Sequence, residues 1–196
     1  MRRLCIVTVA VAFAAPLSAQ VRDVPAPDTL GANFKHDSLG TATPTDFDFL
    51  DGKWNIRFQA RKSATEFHPA QAGTWSAHRT HDGLVIEDEF SLINASTGSR
   101  SLTLTYRVYN TQRRTWEIAG TSAKIGSPWA PGVSWADAKG DRYVVQTYGS
   151  GADALITRIR YYQVTKDHFL WRADGSEDGG KTWIRDFWKI EADRAR

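Results

Sequence analysis

From Trp54 onward, apolar and polar residues alternate with a period of two. WNIRFQA sets Trp54, Ile56 and Phe58 on one face and Asn55, Arg57 and Gln59 on the other. SLTLTYRVY sets Leu102, Leu104, Tyr106 and Val108 against Thr103, Thr105 and Arg107. TWEIAG alternates Trp116 and Ile118 around Glu117. GTWSAHR, LVIEDEFSLI, RYVVQTY, ALITRIRYYQV, HFLWRAD and TWIRDFWKI are further runs rich in β-branched and aromatic residues, the composition of half-buried strands. Turn residues separate nearly all of them, as in HDG at 81–83, NASTG at 94–98, NTQRR at 110–114, AKGD at 138–141, GSGAD at 149–153 and TKD at 165–167. The pattern predicts about nine or ten strands and no long helix. Short connections favour antiparallel neighbours. An open sheet of that width leaves two long edges, which closure removes. The expected fold is all-β, an antiparallel up-and-down β-barrel of about eight to ten strands, with a two-sheet sandwich as the alternative.

The first residues do not share this period. MRRLCIVTVAVAFAAPLSAQ has a basic start at Arg2 and Arg3, an apolar run from Leu4 to Ala15, and small residues before Ala19. That is the form of a secretory signal peptide over 1–19, and it predicts a secreted or periplasmic protein. The apolar run is shorter than the roughly 20 residues of a membrane-spanning helix, so no membrane span is expected after signal removal. Residues 20–44, QVRDVPAPDTLGANFKHDSLGTATP, hold no period and read as a flexible lead-in. In PTDFDFLDG, Thr45 is placed to cap one helical turn with Asp48 at the reciprocal position. Phe47 and Leu50 then point to the core of a domain over 45–196.

Composition narrows the function classes. The 196-residue chain carries a formal net charge of +3. Residues 1–19 hold two Arg and no acid, so the mature chain carries about +1. No basic run tracks a phosphate backbone, and no nucleic-acid partner is expected. The single cysteine, Cys5, leaves with the leader. The mature domain therefore has no disulfide, and its core must hold it. Eight Trp, nine Phe and six Tyr supply that core. Each ring buries roughly 150–250 Å², which at about 25 cal/mol per Å² contributes on the order of 4–6 kcal/mol before entropy is subtracted.

SEDGGKTW, from Ser176 to Trp183, fits Ser-x-Asp-x-Gly-x-Thr-Trp and resembles the Asp-box of sialidases and other β-propellers. In those proteins the box is structural. Here Ser176, Asp178, Gly180 and Thr182 read as a hairpin whose side-chain oxygens satisfy loop amides, with Trp183 as its cover. A chain of this length with one box lacks the repeated blades of a sialidase. Gly52-Lys53-Trp54 is similar to the Gly-x-Trp start of lipocalins and other calycins. That resemblance implies that Trp54 closes one barrel end under a stacked arginine, with Arg194 or Arg185 as the candidate. DFDFLDGKWNI, RRTWEIAG and WRADGSEDGGKTWIRDFWKIEADR together resemble bacterial calycin-like domains of unknown function. The likeness spans about 45–194 and implies a barrel without naming a reaction.

Several polar residues are candidates for binding. Arg158, Arg160 and Tyr162 share one face of their strand. Turned inward, the two guanidinium groups can clamp a carboxylate or phosphate; turned outward, they leave Leu155, Ile159 and Tyr161 to fill the core. Asp88 shares a face with Ile86 and Phe90, where it pairs with an arginine or acts as a desolvated acid. SPWAPGVSW, 127–135, reads as a loop at the barrel mouth, with Trp129 and Trp135 as a platform for a ring or acyl chain. His78 and His81 lie three apart, on opposite strand faces, and His36 and His168 are isolated, so no metal site is expected. No cofactor motif is present, and the sequence leaves the oligomeric state open. The leading reading is a small-molecule-binding barrel with an apolar or amphipathic ligand. The alternatives are an enzyme using Arg158, Arg160 and Asp88 on an anionic or sugar-like substrate, and an envelope scaffold.

Overall fold

The computed structural model describes residues 24–25, 42–122, 130–136, 140–149 and 154–196. Among these residues eleven strands follow one another: β1 (Val24–Pro25), β2 (Gly52–Ala60), β3 (Gln71–Thr80), β4 (Val85–Ile93), β5 (Arg100–Asn110), β6 (Thr115–Ser122), β7 (Ala130–Ala136), β8 (Arg142–Tyr148), β9 (Leu155–Tyr162), β10 (His168–Ser176) and β11 (Thr182–Arg194). Each strand from β2 to β11 pairs antiparallel with the next, and β11 pairs back onto β2. Ten strands thus close an up-and-down barrel, as the alternating pattern predicts, and the sandwich is excluded. The helical pieces among the described residues are two 3-10 turns, Asp48–Leu50 and His81–Gly83. No helix among those residues is long and apolar enough to cross a membrane.

One end of the barrel is plugged. Phe47 and Leu50 are fully buried, and Phe47 meets Trp116 and Tyr161 edge-on at 5.4 and 5.7 Å. The plug is tied down through its backbone. Trp54 Nε1 donates to Leu50 O at 2.9 Å, Trp116 Nε1 to Thr43 O at 2.9 Å, and Arg142 Nε to Asp46 O at 2.7 Å. Its cap differs from the expected one. Asp46 accepts from the Thr43 amide at 2.8 Å and hydroxyl at 2.6 Å, whereas Asp48 turns out to pair with Arg79. A carboxylate three residues ahead of Thr43 closes the turn before Thr45 can.

The barrel seam lies beside this plug. Arg194 is opposite Trp54 in the β11–β2 register, and its guanidinium sits 4.1 Å from the indole centroid. It donates to Asp51 O at 2.7 Å, Phe49 O at 3.1 Å and Lys166 O at 2.7 Å. Of the two candidate arginines, Arg194 is the one on Trp54; Arg185 is exposed. Gly52 has φ +108°, and a Cβ there would lie 2.6 Å from Arg194 Nη1. Glycine is required at that position both for its backbone angle and for the arginine's approach.

At the other end, Ser176 to Trp183 forms the β10–β11 hairpin. Asp178 accepts from the amides of Lys181 (3.1 Å) and Thr182 (3.0 Å), and from the Thr182 hydroxyl at 2.6 Å. The Ser176 hydroxyl accepts from the Gly180 amide at 2.8 Å and donates to Asp178 at 2.8 Å. Trp183 Nε1 closes on Gly180 O at 3.0 Å. Partial burial works against the charge on Asp178, but the Thr182, Ser176 and Lys181 donors outweigh it and hold the carboxyl down at about 2.

Two strands depart from the sequence pattern. β5 is inverted: Thr105 and Arg107 face inward and are buried, while Tyr106 and Val108 stand 47% and 41% exposed. Residues 130–136, expected within a loop, form β7. Pro131 is accommodated because the β7–β8 register shifts between Ala130 and Val133, and a proline without an amide hydrogen fits such an irregularity.

Arg194→Ala is expected to lower the unfolding free energy by about 2 kcal/mol, read by urea denaturation, and Arg194→Lys to recover less than half of that, because an ammonium cannot span three carbonyls and an indole face. Asp178 gives a pH signature. Its folded pKa lies below its unfolded one, so its contribution is complete above about pH 5 and fades between about pH 4 and 2. The melting-temperature gap between wild type and Asp178→Asn should shrink across that window.

Candidate ligand site opposite the plug

The inward side chains change character along the barrel axis. Near the plug they are large and fully enclosed: Trp54, Trp116, Tyr161, Phe169 and Ile118 are at most 2% exposed. The strands run on to the opposite end, where the inward side chains Phe58, Phe90, Tyr148 and Trp188 are only half-buried. Tyr148 on β8 and Trp188 on β11 meet edge-on at 5.8 Å, although β9 and β10 separate their strands. Such a contact crosses the interior. Phe58 and Phe90 meet at 6.3 Å across Gly73 of β3. These rings stand at the end opposite the plug, where Tyr148 and Trp188 also pack against the buried Leu155, Ile184 and Phe187.

Between the two zones lies a belt of buried polar groups: Asp88, Thr105, Arg107, Gln146 and Thr157. Asp88 is the hub of one half. It accepts from Arg107 Nε at 2.7 Å and from Trp75 Nε1 at 3.0 Å. Both ions are almost fully enclosed, with side chains 5% and 1% exposed. Burial alone disfavours the guanidinium charge of Arg107, but Asp88 and then Tyr161 outweigh it and raise its pKa above the ordinary arginine value. The Arg107 guanidinium also lies 5.0 Å from the Phe47 ring centroid, so the pair joins the belt to the plug.

Gln146 and Tyr148 form the other half. The Tyr148 hydroxyl donates to Gln146 Oε1 at 3.1 Å, and burial pushes the phenol's pKa above its usual value. Gln146 is 5% exposed, yet its Nε2 has no hydrogen-bond partner among the described residues. An unpaired buried amide costs roughly 1–3 kcal/mol. Its strand partner Thr157 is fully buried and donates to Gln146 O at 3.3 Å. The amide therefore presents an unsatisfied donor to the barrel interior, at the depth where the aromatic zone begins.

The residues singled out from the sequence divide between the two sides of the wall. Asp88 faces inward. Arg158, Arg160 and Tyr162 lie on the outer face, because Leu155, Ile159 and Tyr161 take the inner one. Arg158 is 8% exposed, stacks 3.7 Å from the Trp183 ring centroid and donates to Asp174 at 3.1 Å. It packs beneath the Ser176–Trp183 hairpin. Arg160 pairs with Asp141. The inward arginine clamp is therefore corrected: Arg158 and Arg160 do not share a space with Asp88. Trp129 lies outside the described residues. Trp135 is on β7, its backbone paired with Tyr143. His78 lies 3.8 Å from Glu87, and His81 bonds Thr80. His168 is paired with Asp193 at 2.8 Å, and Glu191 near them bonds Arg57, so these groups satisfy one another. Gln146 and Tyr148 were not singled out from RYVVQTY, since alternation does not say which face turns inward.

A closed antiparallel barrel plugged at one end has the calycin-like architecture. No protein-family model matches the sequence, and no curated protein matches it. Among solved structures the chain is similar to the S-type phycobiliprotein lyase CPES from Guillardia theta, with a TM-score of 0.56 at 10% identity, over 76% of this chain and 90% of that one. At that identity the likeness is one of fold.

Removing one partner of the buried ion pair should be costly. Asp88→Ala is expected to lower stability by about 3–5 kcal/mol, while Asp88→Leu combined with Arg107→Met loses much less, because no charge is then left stranded. Urea melts of both variants separate the two outcomes.

Proposed function

We propose that this protein is an exported small-molecule-binding barrel whose ligand is amphipathic and enters at the end opposite the plug. The observation that carries the reading is the unsatisfied Gln146 amide, enclosed in the barrel wall below half-buried Phe58, Phe90 and Trp188. Buried polar groups are normally paired, and ligand sites combine apolar walls with a few placed polar groups. A ligand oxygen such as a carbonyl, carboxylate or hydroxyl satisfies the Gln146 Nε2 donor, while a flat or chain-like apolar part lies against the rings. Export rests on the leader over 1–19. The enzyme reading loses its motive, because Arg158 and Arg160 stand outside the wall and Asp88 is engaged by Arg107 and Trp75. Fold likeness to a phycobiliprotein lyase agrees with a binding barrel and carries no substrate over.

Titration with anilinonaphthalene sulfonate and with a medium-chain fatty acid, read through intrinsic Trp fluorescence, tests the reading. At least one probe is expected to bind, and Gln146→Leu to weaken it by about three- to tenfold, the worth of one hydrogen bond. No response from either probe, or an unchanged affinity in Gln146→Leu, would sink it.

A further inference from the structure

A second polar site lies on the outside of the barrel, where four strands meet. The outer faces of β2, β11, β10 and β9 enclose a groove of about 170 Å³ lined by Arg57, Tyr162, Leu170, Arg172, Lys189 and Glu191, among others. Register sets its charge. Lys189 is directly opposite Arg172, and Arg172 directly opposite Arg160. Three cations therefore stand in one row across three adjacent strands. Like charges directly opposite on a sheet are destabilising, and two of the three are answered locally. Arg160 pairs with Asp141, and Arg172 pairs with Asp186 at 2.7 Å. Lys189 has no ion pair or hydrogen bond among the described residues. Its ammonium is held 3.5 Å from the Phe67 ring centroid, on a ring that also carries Arg61 at 4.4 Å. The next row along the barrel holds Arg57, tied to Glu191 by an exposed contact of 3.3 Å.

We propose that this outer groove binds a phosphate-type oxyanion, with Lys189, Arg172 and Arg57 as its cationic ligands. The groove volume accommodates such a group, and its three cations outnumber the two carboxylates that touch them, Glu191 on Arg57 and Asp186 on Arg172. The Arg172 fork is already oriented by Asp186 and by the Tyr162 hydroxyl, so little freedom remains to be lost on binding. Partial burial, with Arg172 beside it, holds the Lys189 pKa below the ordinary lysine value; a bound anion relieves that. Leu170 supplies an apolar floor for whatever carries the oxyanion. The site is separate from the barrel interior, on the opposite side of the wall.

The experiment titrates inorganic phosphate into the full chain by calorimetry, alongside flotation with phosphatidylglycerol and phosphatidylcholine vesicles. Lys189→Met and Arg57→Gln are run in parallel, each checked for folding by circular dichroism; if Lys189→Met does not fold, the exposed Arg57→Gln carries the test. Phosphate binding that weakens about tenfold in the variants supports a free oxyanion as ligand. Binding to phosphatidylglycerol vesicles alone, lost in the variants, supports a lipid headgroup as the source of the same chemistry. Gln146→Leu should leave either signal unchanged, which separates this site from the interior one. No binding of either probe, equal binding by wild type and variants, or loss of binding in Gln146→Leu overturns the proposal.

Discussion

Closure of β11 onto β2 is the constraint on which the other features depend. Without that seam the sheet has two free edges and the inward faces of ten strands have no common interior. The seam begins where Arg194 covers Trp54, and the same guanidinium holds Asp51 and Phe49 of the plug and Lys166 of the β9–β10 turn. One side chain thus ties the last strand, the first barrel strand, the plug and a neighbouring turn. Gly52 makes room for it. The plug in turn presents Phe47 and Leu50 to the core.

That asymmetry makes the two halves of the interior different. Rings meeting at 4.8–5.7 Å, among them Trp54, Trp75, Phe169 and Phe47, fill the plugged half. In the other half a smaller buried cluster of Leu155, Ile184 and Phe187 stands beside half-buried rings and the buried polar groups Gln146 and Thr157. Buried polar groups between the two clusters cost free energy unless paired. The Asp88–Arg107 pair meets that cost with short, oriented bonds. Gln146 leaves its Nε2 unmet among the described residues, and it is on that donor that the proposed ligand site rests.

Legibility in the sequence followed the strength of the local signal. Strand existence was plain from period-two alternation in segments such as WNIRFQA. The structural residues Gly52, Trp54, Arg194 and the Ser176–Trp183 hairpin were legible because each depends on a few neighbours or on a position at a strand end. The sidedness of mixed strands was not legible. In β5, Leu102, Leu104, Tyr106 and Val108 look like the core face, yet Thr105 and Arg107 turn inward. The reason lies on other strands: Asp88 of β4 waits inside for Arg107, and Ile118 and Trp116 of β6 are opposite Arg107 and Tyr109. The same ambiguity hid Gln146 and put Arg158 and Arg160 among the interior candidates.

The sequence by itself determined that this is an all-β chain of successive antiparallel hairpins, rich enough in aromatics to form a core without cross-links. Those properties are local: a strand's period, a turn's residues and a ring's area belong to short stretches of chain. Only the tertiary structure decided which face of each strand became the interior, and therefore which polar residues line a site. A strand has two faces that differ by one residue of register, and the choice between them is made by partners dozens of residues away in the chain.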